Sequence, residues 1–294
     1  MTDWSILLQL LFAGVGTGSI YALVAVGFNV IFKSTDAINF AQGEWVMMGG
    51  MIAAATIAVA QSPIWLACLF AVVIVTAVGM LSERLVILPL RRPTPLLITL
   101  VSIGLAICTK SAVMLTLGKN PAGYPGFEGD AVVTLSGASV PAQTLWIIGL
   151  TVVFMVLAHF FFERTILGKA MRAAAADRDA AALVGIKVRN TVLWSFAIAA
   201  MAGAVAGTII TPLTFTSYDH GTLLGFKGFS AAMLGGLGNL YGAVAGGLVL
   251  GLLETFAAGY LSSDFKDAVA FLVLLIILFW RPAGLLGRAA IEKV

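Results

Sequence analysis

The residues able to do chemistry in this sequence are few and widely spaced. Asn39, Gln42 and Glu44 stand together just ahead of a run rich in methionine and glycine, Met47-Met-Gly-Gly-Met51. Glu44 falls where the next helix should start, and a helix dipole favours a negative charge in the first turn. The same three residues could instead belong to a discontinuous helix lining a solute path. Unwound backbone at membrane depth is tolerated only beside protein or a water-filled cavity. Glu254 is the carboxylate nearest the centre of an apolar stretch, where a charge costs about 2.5–3.5 kcal/mol on insertion scales. Such groups face the bundle interior, pair, or take up a proton. An interhelical hydrogen bond, a place in a path and a proton role are the three readings for Glu254.

The other ionisable and sulfur-bearing residues point to structure rather than reaction. Lys110 and Lys227 are expected to snorkel to an interface. His159 sits near a span end, and His220 lies beside Asp219. Both read as structural histidines. Cys68 and Cys108 lie in apolar stretches and read as small buried residues, with no disulfide framework and no metal-ligand spacing. No metal site and no nucleophile–base constellation is expected. A phosphate-binding loop needs Gly-x-x-x-x-Gly-Lys-Ser/Thr, whereas Gly168-Lys169 is followed by Ala170. The chain is therefore not expected to be an enzyme, and no cofactor is expected in it.

The elements that must position these residues follow from composition. Of the 294 residues, 60% are hydrophobic and 11% charged, against roughly 45–50% and about 25% in soluble domains. A mean hydropathy of +1.04 requires lipid as solvent. The net charge of +3 gives no reason to expect nucleic acid. About 20 apolar residues cross a bilayer core of roughly 30 Å. The firm spans by that rule are 6–32, 45–60, 65–90, 96–117, 145–162, 191–211, 241–261 and 268–280. A shorter segment, 223–237, is interrupted by Lys227 and several glycines. The fold class is all-α: a polytopic transmembrane helix bundle of eight firm spans plus one short or broken segment, forming a single domain over 1–294. The run after Asp3 is too long for a signal peptide and reads as a retained span.

Lysine and arginine set the orientation. Residues 163–190 hold Arg164, Lys169, Arg172, Arg178, Lys187 and Arg189; Arg84, Arg91 and Arg92 form a second group, and Arg281, Arg288 and Lys293 a third. These belong in the cytoplasm, with 163–190 a cytoplasmic loop. Residues 118–143, with three prolines, five glycines and one lysine, suit an external loop. Chaining these assignments makes 223–237 cross and puts the N-terminus outside.

Glycine does two jobs. Gly14 with Gly18, Gly203 with Gly207, Gly242 with Gly246, and Gly247 with Gly251 are spaced four apart, which cuts a groove where another backbone can approach. Plain helix packing is the main reading of these pairs. By contrast, Gly235-Gly-Leu-Gly-Asn-Leu-Tyr-Gly242 argues against an uninterrupted helix over 225–247. The interruptions at 33–44 and 225–247, one in each half, point towards a transport site between halves.

Within the cytoplasmic loop, 169–184 is alanine-rich and proline-free. It reads as one short helix closed by Gly185 at the C′ position, able to dock through its small residues and transmit force. At this point the sequence resembles the permease subunits of branched-chain amino acid importers of the ATP-binding-cassette class. The resemblance rests on five stretches in order: 14–27, 39–50, 168–186, 235–247 and the tail Arg281-Pro-Ala-Gly-Leu-Leu-Gly287. In length and motif order it is closest to the first, shorter subunit of the permease pair. The resemblance implies a bacterial inner-membrane location. It also implies a second permease subunit, two ATPase subunits that hold ATP, and a periplasmic substrate-binding protein. It makes 168–186 the coupling segment, represented by Gly168, Arg172, Ala175, Asp179 and Gly185. The same resemblance embraces permeases for urea and short amides. A carrier driven by an ion gradient through Glu254 is the rival from another class.

Overall fold

A computed structural model describes residues 3–90, 93–135, 137–262, 266–281 and 283–287. Arg91, Arg92, Arg288 and Lys293, used above for orientation, and Pro282 of the tail motif lie outside those residues. The described chain is almost entirely helical. In order it forms α1 (Asp3–Thr35), α2 (Gln42–Ala60), α3 (Ile64–Ser82) with a π-helical turn (Glu83–Ile87), and α4 (Pro95–Leu117). A hairpin of β1 (Val132–Leu135) and β2 (Ala138–Pro141) leads to α5 (Ala142–Arg164), α6 (Ile166–Ala176) and α7 (Arg178–Leu183). The last elements are α8 (Val188–Thr214), α9 (His220–Gly235), α10 (Leu240–Tyr260) and α11 (Lys266–Trp280).

Seven helices among the described residues are long and apolar enough to cross a membrane: α1, α2, α3 with its π turn, α4, α5, α8 and α10. Two others fall short of that length. At 16 residues α9 is only about 24 Å long, and α11 has 15 residues.

Helix α1 is the axis of the bundle and packs against α10, α8, α9 and α5. Its stretch from Ile20 to Ile31 is almost wholly buried. Small residues make this possible. Gly14 and Gly18 meet Gly247, Leu248, Gly251 and Leu252 of α10, and a Cβ built on Gly18 would lie 2.8 Å from Leu248 Cα. On the other side of the bundle Gly203 and Gly207 of α8 take the backbone of α2 at Val46. Gly242 and Gly246 admit α9 at Gly235 and Ala231. The periphery is the opposite. α3, α4 and α5 expose large apolar side chains such as Phe70, Leu100, Ile107, Val153 and Leu157, a surface that only lipid or a partner protein can cover favourably.

At one end of the bundle the segment between α4 and α5 carries the hairpin, with Val133 opposite Val140 and Gly137 at positive φ in its turn. Ala122 bridges to Thr216 after α8. Trp65, Phe127 and Trp146 stack at the same end, with Trp65 and Phe127 centroids 4.3 Å apart. Aromatic groups of this kind suit a membrane–water boundary. Cys68 is buried here against Tyr124. Cys108, in contrast to the sequence expectation, is exposed, because α4 touches little besides α2 and the π turn.

The opposite end carries α6 and α7. The single helix expected over 169–184 is in fact two. Asp177 adopts an extended conformation and caps α7, its Oδ1 accepting from Asp179 N at 3.0 Å and Ala180 N at 2.9 Å. An N-cap aspartate satisfies orphan donors better than a continuing helix would use that residue, and the alanine-rich composition hides the break. Gly185 follows with φ +87°, the left-handed conformation expected of a residue past a helix end.

Candidate functional site

Between α1 and α2 the chain does not simply turn in solvent. Residues 36–41 run back into the bundle, with Ala37, Asn39 and Ala41 buried. α2 then begins at Gln42, beside Gly27 of α1 and the Ala199 carbonyl of α8. Gly27 lies eight residues before the end of α1, about 12 Å along its axis, so α2 starts inside the bundle. The connector is held by α4: Thr99 Oγ1 accepts from Ile38 N at 3.2 Å, and Ser102 Oγ accepts from Phe40 N at 3.0 Å.

The start of α9 reaches the same place from the other side. Gly43 of α2 meets Gly221 and Gly225 of α9 backbone to backbone. Side chains there would force the two helices apart. Neither helix has a side-chain cap at its N-terminus, so the first N–H groups of both lack that satisfaction. Glu44 sits at the crossing, 3% exposed, its Oε1 accepting from Thr222 Oγ1 at 3.1 Å. Asn39 uses Oδ1 to accept from Ala41 N at 3.2 Å, and Gln42 Nε2 donates to Ala199 O at 2.9 Å. Phe40 from the connector meets Phe226 and Phe229 of α9, with centroids 6.3 and 5.7 Å apart.

Glu254 is brought to α9 by another route. Its Oε1 lies 2.6 Å from Lys227 Nζ and its Oε2 accepts from the Tyr21 hydroxyl at 2.6 Å. Lys227 does not snorkel. It is 6% exposed and its ammonium also lies 5.6 Å from the Tyr21 ring centroid. The ring and the carboxylate together make burial of this cation tolerable. Lys110 pairs differently, resting 5.5 Å above the Tyr218 ring. His159 bonds the Tyr241 hydroxyl at 2.7 Å.

Where α9 gives way to α10, Gly236 and Gly238 take φ of +108° and +79°. Buried Asn29 of α1 closes this break: Nδ2 donates to Asn239 O at 2.8 Å, and Oδ1 accepts from Gly238 N at 3.2 Å. The tail caps it from outside, Leu285 N and Leu286 N donating to the carbonyls of Leu234 and Gly235.

On the α6–α7 side, Gly168 presses on Phe161 and Phe162 of α5, and Arg172 pairs with Glu163. Arg172 and Glu163 face a cavity of about 520 Å³ lined also by Asn29, Lys33, Ala175 and Asn239. Asp179 is exposed, as are Leu183 and Val184 just beyond it, at 89% and 76%. One residue that the sequence marks only as a cytoplasmic positive charge links this end to the rest. Arg178 Nη2 donates to Ser34 O at 2.7 Å and pairs with Asp36 at 3.2 Å, tying α7 to the connector that carries Asn39. Thr222, Tyr21 and Asn29 are not singled out by the sequence. A lone hydroxyl or amide in an apolar run gives no signal of its partner.

Comparison with known proteins places this architecture. A family profile described as "Branched-chain amino acid transport system / permease component" matches residues 10–278. The chain is 36% identical over 302 residues to the high-affinity branched-chain amino acid transport system permease protein LivH of Escherichia coli K12. That alignment covers 98% of this chain and 97% of LivH. It is 34% identical to the corresponding permease protein BraD of Pseudomonas aeruginosa, covering 98% of each. In fold it is similar to a chain of PsaBC from Streptococcus pneumoniae in complex with Fab, at a TM-score of 0.52 and 10% identity. That match covers 96% of this chain and 94% of the other.

Proposed function

The chain belongs to the family of branched-chain amino acid transport permease components, and from that premise we propose that it is the membrane subunit of an ATP-binding-cassette importer. It passes branched-chain amino acids across the bacterial inner membrane by alternating access. A second permease subunit completes the path, two ATPase subunits supply ATP hydrolysis, and a periplasmic binding protein delivers the solute. In this reading 118–143 faces the periplasm and 163–190 the cytoplasm. α11 adds an eighth crossing and α9 is the broken one.

The observation that carries the mechanism is the Arg178 link. A force applied to the exposed end of α7 reaches Ser34 and Asp36 directly, and through residues 36–41 it reaches the start of α2. Gly168, Arg172, Ala175, Asp179 and Gly185 form or terminate the coupling pair α6–α7. Leu183 and Val184 offer the apolar contact for an ATPase groove. Movement of the α2 start would displace Asn39, Gln42 and Glu44 relative to α9, which is how the path would open. Glu254 stands beside this path as a strut of α9. With both its oxygens engaged by Lys227 and Tyr21, it is poorly arranged as the coupling carboxylate of a secondary carrier.

Co-purification tests the reading. Ala175→Pro should release the ATPase subunits while the bundle stays folded and the second permease stays bound. Retention of the ATPases by a chain with a broken α6 would refute the coupling assignment. Nucleotide-free accumulation of solute in vesicles holding this chain alone would refute the importer reading.

A further inference from the structure

Among the described residues, six buried side-chain polar atoms have no hydrogen-bond partner, and four of them belong to residues 39–45. A buried unsatisfied polar group is costly, so this clustering marks a place built for something besides stability. Gln42 Oε1 lies against Gly27 of α1, and Trp45 packs on Phe196 of α8. Glu44 Oε2 is different, because it lies against Gly221 at the uncapped start of α9. Its other oxygen accepts from the Thr222 hydroxyl, and Thr222 is itself exposed.

We infer that Glu44 Oε2 is the subsite for the protonated amine of the transported amino acid. This rests on the importer reading above. The solute would approach along the face of α9 that no element of this chain covers. Leu223 and Phe226 there are 46% and 49% exposed, and Phe40 adjoins Phe226. That apolar face receives the aliphatic side chain. The amine bonds Oε2, the oxygen that Thr222 leaves open, and the solute's own carboxylate faces the first N–H groups of α9, where the helix dipole favours negative charge. Glycine at 43, 221 and 225 lets α2 and α9 cross closely enough to hold Glu44 Oε2 at the start of α9. The chemical class follows from the charge: a zwitterionic or aminated aliphatic solute, and not urea or a short amide, which have no ammonium to offer a buried carboxylate.

The test uses the complete importer in lipid nanodiscs without its binding protein, so that selectivity is read at the membrane subunits. The ligands are leucine, 3-methylbutylamine and 4-methylpentanoate. Leucine and 3-methylbutylamine should raise the thermal midpoint of the native complex and 4-methylpentanoate should not. Glu44→Gln should weaken leucine affinity roughly tenfold or more, as loss of a charge-assisted bond predicts, in complexes whose subunits still assemble. Glu44→Asp should restore part of the affinity, which a purely structural role would not require. Equal protection by 4-methylpentanoate and leucine, or unaltered leucine affinity in an assembled Glu44→Gln complex, overturns the subsite. Failure of the native chain to assemble with ATPases would instead refute the importer reading.

Discussion

Lys227 and Glu254 form an ion pair 2.6 Å long that joins α9 to α10 where both side chains are buried. The pair holds a helix too short to find its own depth in a bilayer. Removing one partner leaves an uncompensated buried charge, so Lys227→Met should cost about 3–5 kcal/mol of stability. Lys227→Met combined with Glu254→Leu should recover most of that loss. Unfolding midpoints in detergent measure both. Equal loss in the single and double variants would show that the charges are not coupled.

Arg178 is expected to transmit force rather than to stabilise. Its contacts with Ser34 and Asp36 are partly exposed, and exposed pairs contribute only about 0.2–1 kcal/mol. Arg178→Ala should therefore leave the melting midpoint nearly unchanged. In reconstituted vesicles it should separate ATP hydrolysis from solute uptake, with hydrolysis continuing and uptake falling severalfold. A variant that hydrolyses and transports like the native chain would remove the link from the mechanism.

The α1–α10 seam should be intolerant of side-chain volume. Gly18→Ala places a Cβ 2.8 Å from Leu248 Cα and 2.9 Å from the Gly247 carbonyl oxygen, and overpacking of this kind costs about 1–3 kcal/mol. Gly104→Ala in α4 meets nothing within 4 Å and should be neutral or stabilising by up to about 1 kcal/mol. Comparing the two midpoints separates crowding from the general effect of replacing glycine in a helix.

Tyr124 pins the loop of the hairpin end to the bundle, its hydroxyl donating to the Thr208 carbonyl and touching Cys68 Sγ. Burial, followed by the neighbouring thiol, pushes its phenol above the ordinary tyrosine range. A group raised in the folded state contributes fully below the unfolded value, about 10, and loses its contribution only as pH rises beyond that. Tyr124→Phe should therefore lower stability by about 1 kcal/mol, by the same amount at every pH from 5 to 9. A loss that varies across that interval would contradict the assignment.

Some of this was legible without coordinates because it depends on solvent and backbone alone. A hydropathy this high admits only membrane-crossing helices. Four glycines in 235–242 cannot continue a helix, and Gly236 and Gly238 do take left-handed conformations there. The family could be named from five short stretches in order. Asp177 escaped notice because an aspartate among alanines reads equally well as a solvated helix residue or as a cap, and local propensity does not separate the two.

What the sequence determined, then, is the solvent, the secondary-structure class and the places where helices stop, since these follow from transfer free energies and φ restrictions that act within a few residues. Only the tertiary structure decided which polar groups meet. Lys227 finding Glu254 instead of an interface, Arg178 reaching back to Ser34, and Glu44 sharing a crossing with Gly221 all depend on how helices far apart in the chain lie against one another. That arrangement is set by the sum of many small close contacts between glycine and alanine faces, and no single side chain records it.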